Sequence, residues 1–176
     1  IGWISIPGTR IDYPVMQTKD DPDFYLKHAF DKSYSNYGVP YAAENCDADI
    51  SDNMVLYGHH MNNGSMFGSL NKYKDEGFWK KNQYFTVYTE STAYRYQIFS
   101  YEDAVVGGNV YKVGYQPGEE YQTFIDEMVK NSDFDTGIRP KSRNKILTLS
   151  TCTDHDSSKR FAVHAVCIDT QKISEE

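Results

Sequence analysis

Most of this chain divides into strand-length stretches with β character, and one stretch clearly breaks that pattern. Residues 1–6 and 11–16 alternate apolar and polar on either side of a Pro7-Gly8 turn signal, and residues 53–60 are strand-like. Residues 84–89 and 94–101, rich in aromatic and β-branched side chains, read as a hairpin around residues 90–93. Residues 145–152 and 160–168 are two further strong strands. The exception is residues 118–131, where Tyr121, Phe124, Ile125, Met128 and Val129 form a helical stripe. Glu119 and Glu120 in its first turn and Lys130 in its last complement the helix dipole. Two smaller helical signals accompany it. Asp21-Pro22 resembles an N-cap followed by proline at the first helical position and predicts a short helix reaching Phe30, and Met66, Phe67, Leu70 and Tyr73 have helical spacing. The pattern predicts a mainly β protein with a few helices, built as a mixed barrel or sandwich.

The chain has 176 residues, which suits one domain spanning 1–176 with a proper core. The formal net charge is −7 and no block of lysine and arginine stands out, which argues against nucleic acid as a partner. Tyrosine is abundant at 15 copies, and its apolar ring with a polar tip suits half-buried strands and groove walls. No apolar run approaches the roughly 18 residues needed to span a membrane. The chain opens at Ile1 directly into a strand pattern, so any signal or anchor segment is expected to lie outside it.

Three cysteines, Cys46, Cys152 and Cys167, are odd in number and widely spaced, so they do not form a disulfide framework. Cys152 is placed differently from the other two. Ile146, Thr148, Ser150 and Cys152 share one face of their strand, and Arg160, Ala162, His164 and Val166 share a face of the next. If the two strands are neighbours, Cys152 ends one near where Arg160 begins the other, across the polar segment 153–159. A guanidinium beside a thiol favours the thiolate and can stabilise an oxyanion. The strand at 53–59 supplies a proton carrier: Val55, Tyr57 and His59 lie on one face, Gly58 and His60 on the other. His59, Cys152 and Arg160 thus form a candidate set of acid/base, nucleophile and oxyanion stabiliser.

Each residue has a plainer reading: a packing cysteine, a surface histidine, a solvated arginine. A metal site is a further alternative, because Cys152 and His155 have Cys-x-x-His spacing and His59-His60 could add ligands. Adjacent strand histidines face opposite ways, and no second cysteine pair is close, so no metal and no cofactor is expected. Cys167 is expected in the core and Cys46 in an exposed loop. His28, His155 and His164 are assigned no chemistry, and Asn63-Gly64-Ser65 is taken as a turn.

The motifs resemble those of class B sortases. Thr148–Cys152 reads TLSTC, like the strand-ending T-L-x-T-C of sortases; Tyr57-Gly58-His59-His60 resembles their Y-G-H-H form; Arg160 follows at the start of the next strand. The opening Gly2-Trp3-Ile4, Ile6-Pro7-Gly8-Thr9 and Ile11-Asp12-Tyr13-Pro14-Val15 is similar to the class B start, and the helix at 118–131 falls where that class carries an extra one. The resemblance covers nearly the whole chain. It implies an eight-stranded sortase-type β-barrel with an extra helix between the sixth and seventh strands. It implies a cysteine transpeptidase with catalytic His59, Cys152 and Arg160 and with Tyr57 and Ser150 lining the peptide groove. Its partners would be surface proteins bearing a C-terminal sorting signal of N/S-P-x-T type and a peptidoglycan precursor amine, at the extracellular face of a Gram-positive cell membrane. The segment between Cys152 and Arg160 is short for the class. A pilin-polymerising sortase or another cysteine peptidase are the alternative activities, although neither a papain-like order nor a caspase signature is present.

Overall fold

The computed structural model describes residues 1–152 (Cys152 by its backbone position) and 159–173. The strand segments assemble into one eight-stranded sheet. Its strands are β1 (Gly2–Ser5), β2 (Asp12–Val15), β3 (Tyr41–Ala42), β4 (Asn53–His59), β5 (Tyr84–Tyr88), β6 (Thr92–Val105), β7 (Ile146–Cys152) and β8 (Lys159–Lys172). They lie in the order β2-β1-β5-β6-β8-β7-β4-β3. Met16, just past β2, bridges to Tyr41 of β3, with its amide donating to Pro40 and its carbonyl accepting from Ala42. The two edge strands thereby meet, and the sheet closes into a nearly complete barrel, as expected. Closure removes exposed edges that would otherwise invite pairing with another chain.

The period-two pattern sorts side chains between two environments. Ile4, Leu56, Phe85, Leu147, Leu149, Val163 and Ala165 fill the barrel interior with Tyr96 and Tyr101. Ile146 and Val166 face outward, where they and Phe99 are covered by α2 (Glu119–Asn131) through Tyr121, Phe124, Ile125 and Met128. Burying side chains such as Phe124, Ile125 and Met128 stabilises the fold by about 1.5–3 kcal/mol each. This helix lies between β6 and β7, in the place the resemblance implies. One end of the outer β7–β8 face is therefore sealed by α2, and the other end is left for chemistry.

Several boundaries differ from those the sequence suggests. The helix expected from Asp21-Pro22 to Phe30 is only a 3-10 turn over Phe24–Leu26. Tyr25 is its one buried side chain, so no apolar stripe offsets the cost of nucleating a longer helix. The chain instead folds back, with His28 bridging to Tyr34 and Lys32 in the left-handed region at φ 69°. The spacing of Met66 to Tyr73 gives a 3-10 helix over Gly68–Lys74, followed by α1 (Glu76–Lys81), which Asp75 caps by accepting from the Gly77 amide. The 84–101 hairpin is present with Tyr88 opposite Ala93, but β6 runs on to Val105 and β8 to Lys172. Cys46 is buried at 2% exposure, not in an exposed loop, and burial pushes its thiol pKa up. Cys167 is only half-buried at the edge of the core.

Candidate active site

β4 and β7 form the parallel pair in the sheet, and their register aligns Tyr57 with Ser150 and His59 with Cys152. Residues in register on parallel neighbours share a face. The alternation read from the sequence therefore holds across both strands. β7 and β8 are antiparallel neighbours, with Ser150 opposite Ala162 and Thr148 opposite His164. Arg160 stands two residues before Ala162, as Cys152 stands two residues after Ser150. The Phe161 amide donates to Thr151 Oγ1 at 3.3 Å, which ties β8 to β7 at this end.

His59 is 5% exposed, and its Nε2 donates to the Leu26 carbonyl oxygen at 2.5 Å. A backbone carbonyl only accepts, so this bond places the proton on Nε2 and leaves Nδ1 of the neutral ring as proton acceptor. The short 3-10 turn at Phe24–Leu26 thus orients the histidine. His60 lies on the opposite face. Its ring meets Phe161 edge-on at 5.6 Å, and its pKa is lowered, first by burial and then by the nearby Lys74. Gly58 between the two histidines is required by space: a Cβ there would come within 2.6 Å of the Phe67 ring.

Tyr57, Ser150 and Arg160 line one open pocket of about 340 Å³, together with Asp23, Leu26, Tyr41, Tyr111 and Thr151. Three tyrosine rings run along it. Tyr57 lies 5.5 Å from Tyr41 and 6.1 Å from Tyr111, centroid to centroid. The Tyr111 hydroxyl is 2.9 Å from Ser150 Oγ, and the Tyr41 hydroxyl donates to Asp23 at 3.1 Å. Arg160 is half-buried at the pocket edge. Such a wall offers apolar ring faces and several hydroxyls, a surface suited to an extended peptide with a polar side chain.

The structure brings His59 into register with Cys152, and brings Tyr57, Ser150 and Arg160 to one pocket. Tyr41, Tyr111, Asp23 and the Leu26 carbonyl were not singled out from the sequence. Their segments are short and lack periodicity, and the abundance of tyrosine was the sole hint. His155 and the rest of residues 153–158, on which the Cys-x-x-His alternative depended, lie outside the described residues. Among the described residues, no group of His, Cys, Asp and Glu is arranged to hold a metal ion.

Comparison with known proteins places this geometry in context. The model of the sortase domain family matches residues 4–168. Sortase B of Staphylococcus aureus is 30% identical over 171 residues, which cover 96% of this chain and 70% of that protein. The structure of Clostridium perfringens sortase B superposes with a TM-score of 0.87 at 35% identity, covering 96% of this chain and 93% of that one. A Staphylococcus aureus sortase B–substrate complex superposes with a TM-score of 0.91 at 29% identity, covering 99% of this chain and 80% of that one.

Proposed function

Because the chain belongs to the sortase family and is a cysteine transpeptidase of the sortase B type, we propose that Cys152 is its nucleophile, His59 its acid/base and Arg160 its oxyanion stabiliser. The Cys152 thiolate attacks the carbonyl carbon of the threonine in a C-terminal sorting signal. A carbon–sulfur bond forms, and the carbonyl oxygen takes the negative charge that Arg160 stabilises. The peptide carbon–nitrogen bond then breaks, and the leaving amine takes a proton from His59. The resulting thioester keeps the acyl group activated, so an amine can displace the sulfur without ATP. His59 accepts the proton of the incoming amine, which completes the cycle.

The observation that carries this reading is the β4–β7 register, which sets His59 level with Cys152 beside the pocket that Arg160 lines. The acyl donor is a surface protein with an N/S-P-x-T signal. Tyr57 and Ser150 line its groove, and the hydroxyls around them favour a polar first residue. The proline pre-bends the peptide through its fixed φ and lowers the ordering cost of binding. The acceptor is a peptidoglycan precursor amine at the outer face of a Gram-positive membrane. No helix among the described residues is long and apolar enough to cross a membrane.

The test is a peptide-library cleavage assay in the presence and absence of an amine, read by mass spectrometry. Cleavage after threonine, with amine-dependent ligation of the acyl fragment, supports the proposal. Cleavage elsewhere, or no acyl transfer to any amine, contradicts it.

A further inference from the structure

The outer face of the sheet carries a second opening beside the catalytic pocket. Ala104 on β6 pairs with Arg160 on β8. Arg160 lines the tyrosine-walled pocket, whereas Ala104 lines an open groove of about 560 Å³. The segment after β6 divides the two. Val106, Gly107 and Tyr111 border the catalytic pocket, and Gly108, Asn109 and Val110 border the groove. Between β6 and the Cys152 strand stands only β8. Neighbouring strands lie about 4.8 Å apart, so the groove begins about 10 Å from the nucleophile.

The groove is acidic and is built around a buried carboxylate. Glu102, Asp103 and Glu127 line it, and none of its lining residues is a lysine or arginine. Glu102 is 5% exposed. Its Oε2 is sealed from solvent without a hydrogen bond; His164 Nε2 stands 3.4 Å away, farther than a good charge-assisted bond allows. His164 is engaged through its other nitrogen, with Nδ1 2.8 Å from Thr148 Oγ1. Glu102 Oε1 has no hydrogen-bond partner among the described residues and is not sealed, so it is the oxygen turned to the groove. Asp133, whose amide donates to the Tyr101 carbonyl, registers the excess of negative charge. Its pKa is raised, first by burial and then by Asp103, with Glu102 adding to the rise and Lys74 opposing it. Lys74 itself lies over the Phe161 ring, 3.9 Å from its centroid.

A carboxylate this buried is ordinarily paired with a cation. A metal ion does not fit, because among the described residues no group of His, Cys, Asp and Glu is arranged to hold one. The groove has instead the size of a site for a small organic group. Its walls show which kind. Ala104, Val105 and Val110 offer methyl groups, and the side chains of Asn109 and Asn131 offer amide oxygens. An aliphatic stem that ends in an ammonium satisfies both, with the stem on the methyls and the head among the oxygens. We infer that this groove binds a lysine-type ammonium group of the acyl acceptor, with Glu102 as its anchor and Glu127 as a second carboxylate. The inference rests on the proposed transfer to an amine. The donor peptide takes the pocket on the Tyr57 and Ser150 side of Arg160, which leaves the β6 side for the acceptor. The bound ammonium does not react; it holds the acceptor while a separate amine of the same molecule reaches the thioester.

Two measurements test it. In the first, N-acetyl-lysine amide and N-acetyl-norleucine amide, which lacks the ammonium, are titrated into the enzyme and followed through the methyl resonances of Ala104, Val105 and Val110. The lysine compound should give saturable shifts, with affinity at least about fivefold weaker in Glu102→Gln, and the norleucine compound none. In the second, a sorting-signal peptide is the donor and glycine oligomers carrying lysine or norleucine at successive positions are the acceptors. The attacking amine is then the same in both. At the best position lysine should exceed norleucine by at least about fivefold in kcat/KM for the acceptor, and Glu102→Gln should bring the two within about twofold. The same exchange is made in the donor, outside its motif. Thermal midpoints verify the fold. If Glu102→Gln fails to fold, Glu127→Gln, exposed on α2, is judged by the same ratios.

Absence of saturable shifts with the lysine compound overturns the inference, as do shifts that persist unchanged in Glu102→Gln. So does equal transfer to lysine and norleucine acceptors at every position, or a lysine preference carried by the donor in place of the acceptor. Failure of transfer to any amine, with the titration as expected, would instead contradict the transpeptidation from which the inference starts and leave the ammonium site standing.

Discussion

His59 and Cys152 occupy the same register position of the parallel β4–β7 pair, and His60, one residue on, faces away. This relationship makes an asymmetric expectation for the two histidines. His59→Ala should lower kcat/KM for a sorting-signal peptide by about 10²–10⁴-fold, the usual worth of a placed proton carrier. His60→Ala should change it by less than about tenfold, since it removes packing against Phe161 and not an acid or base. Steady-state kinetics of both variants, with circular dichroism to verify the fold, decide the matter. Equal losses would undo the assignment.

Arg160 should not be replaceable by lysine. Lysine keeps the charge but lacks the planar fork that holds two acceptors at once. Arg160→Lys is expected to lose about 10²-fold or more in kcat, comparable to the loss of an oxyanion donor, with a smaller change in KM. Near wild-type turnover would show that a point charge is enough.

Gly58 sets the approach of β4 to the core. A Cβ would meet the Phe67 ring at 2.6 Å, and Phe67 is 0% exposed, so neither partner has room to yield. Gly58→Ala should destabilise the fold by about 1–3 kcal/mol, the usual cost of overpacking. Urea denaturation should show a lower midpoint with an unchanged m-value. An unchanged midpoint would mean that the neighbouring chain relaxes freely.

The pocket lined by Tyr41, Tyr57, Tyr111, Asp23 and Ser150 should distinguish peptides by their first motif residue. A site that hydrogen-bonds a polar side chain loses more when that partner is missing than an apolar pocket loses over a methylene. Peptides with Asn or Ser before Pro-x-Thr should therefore exceed a Leu-first peptide in kcat/KM. A clear preference for Leu would refute the motif and leave the family assignment intact.

The parts of this site that were legible in the sequence lie on long strands whose motif residues could be assigned to a face. In β4, β7 and β8 side chains alternate faces, so a count of two puts Tyr57 with His59, Ser150 with Cys152 and Arg160 with Ala162, although both faces carry buried apolar residues. The stripe of Tyr121, Phe124, Ile125 and Met128 made α2 equally plain. What escaped has no period. β3 is two residues long, and the turn over Asn109–Tyr111, which brings Tyr111 to Ser150, is three. The Leu26 carbonyl that orients His59 belongs to every residue type alike. Glu102 and His164 read as ordinary strand residues until the β6–β8 register places them beside one another.

The central claim is that Cys152 carries the acyl group. The direct measurement is intact-mass and peptide-mapping spectrometry of enzyme quenched during turnover of an N-P-x-T peptide. The expected result is a mass increase equal to the acyl fragment ending in threonine, mapped to Cys152 and absent from Cys152→Ala, which should retain the fold and lose cleavage. An adduct on Cys46 or Cys167, or substantial cleavage by Cys152→Ala, would contradict it.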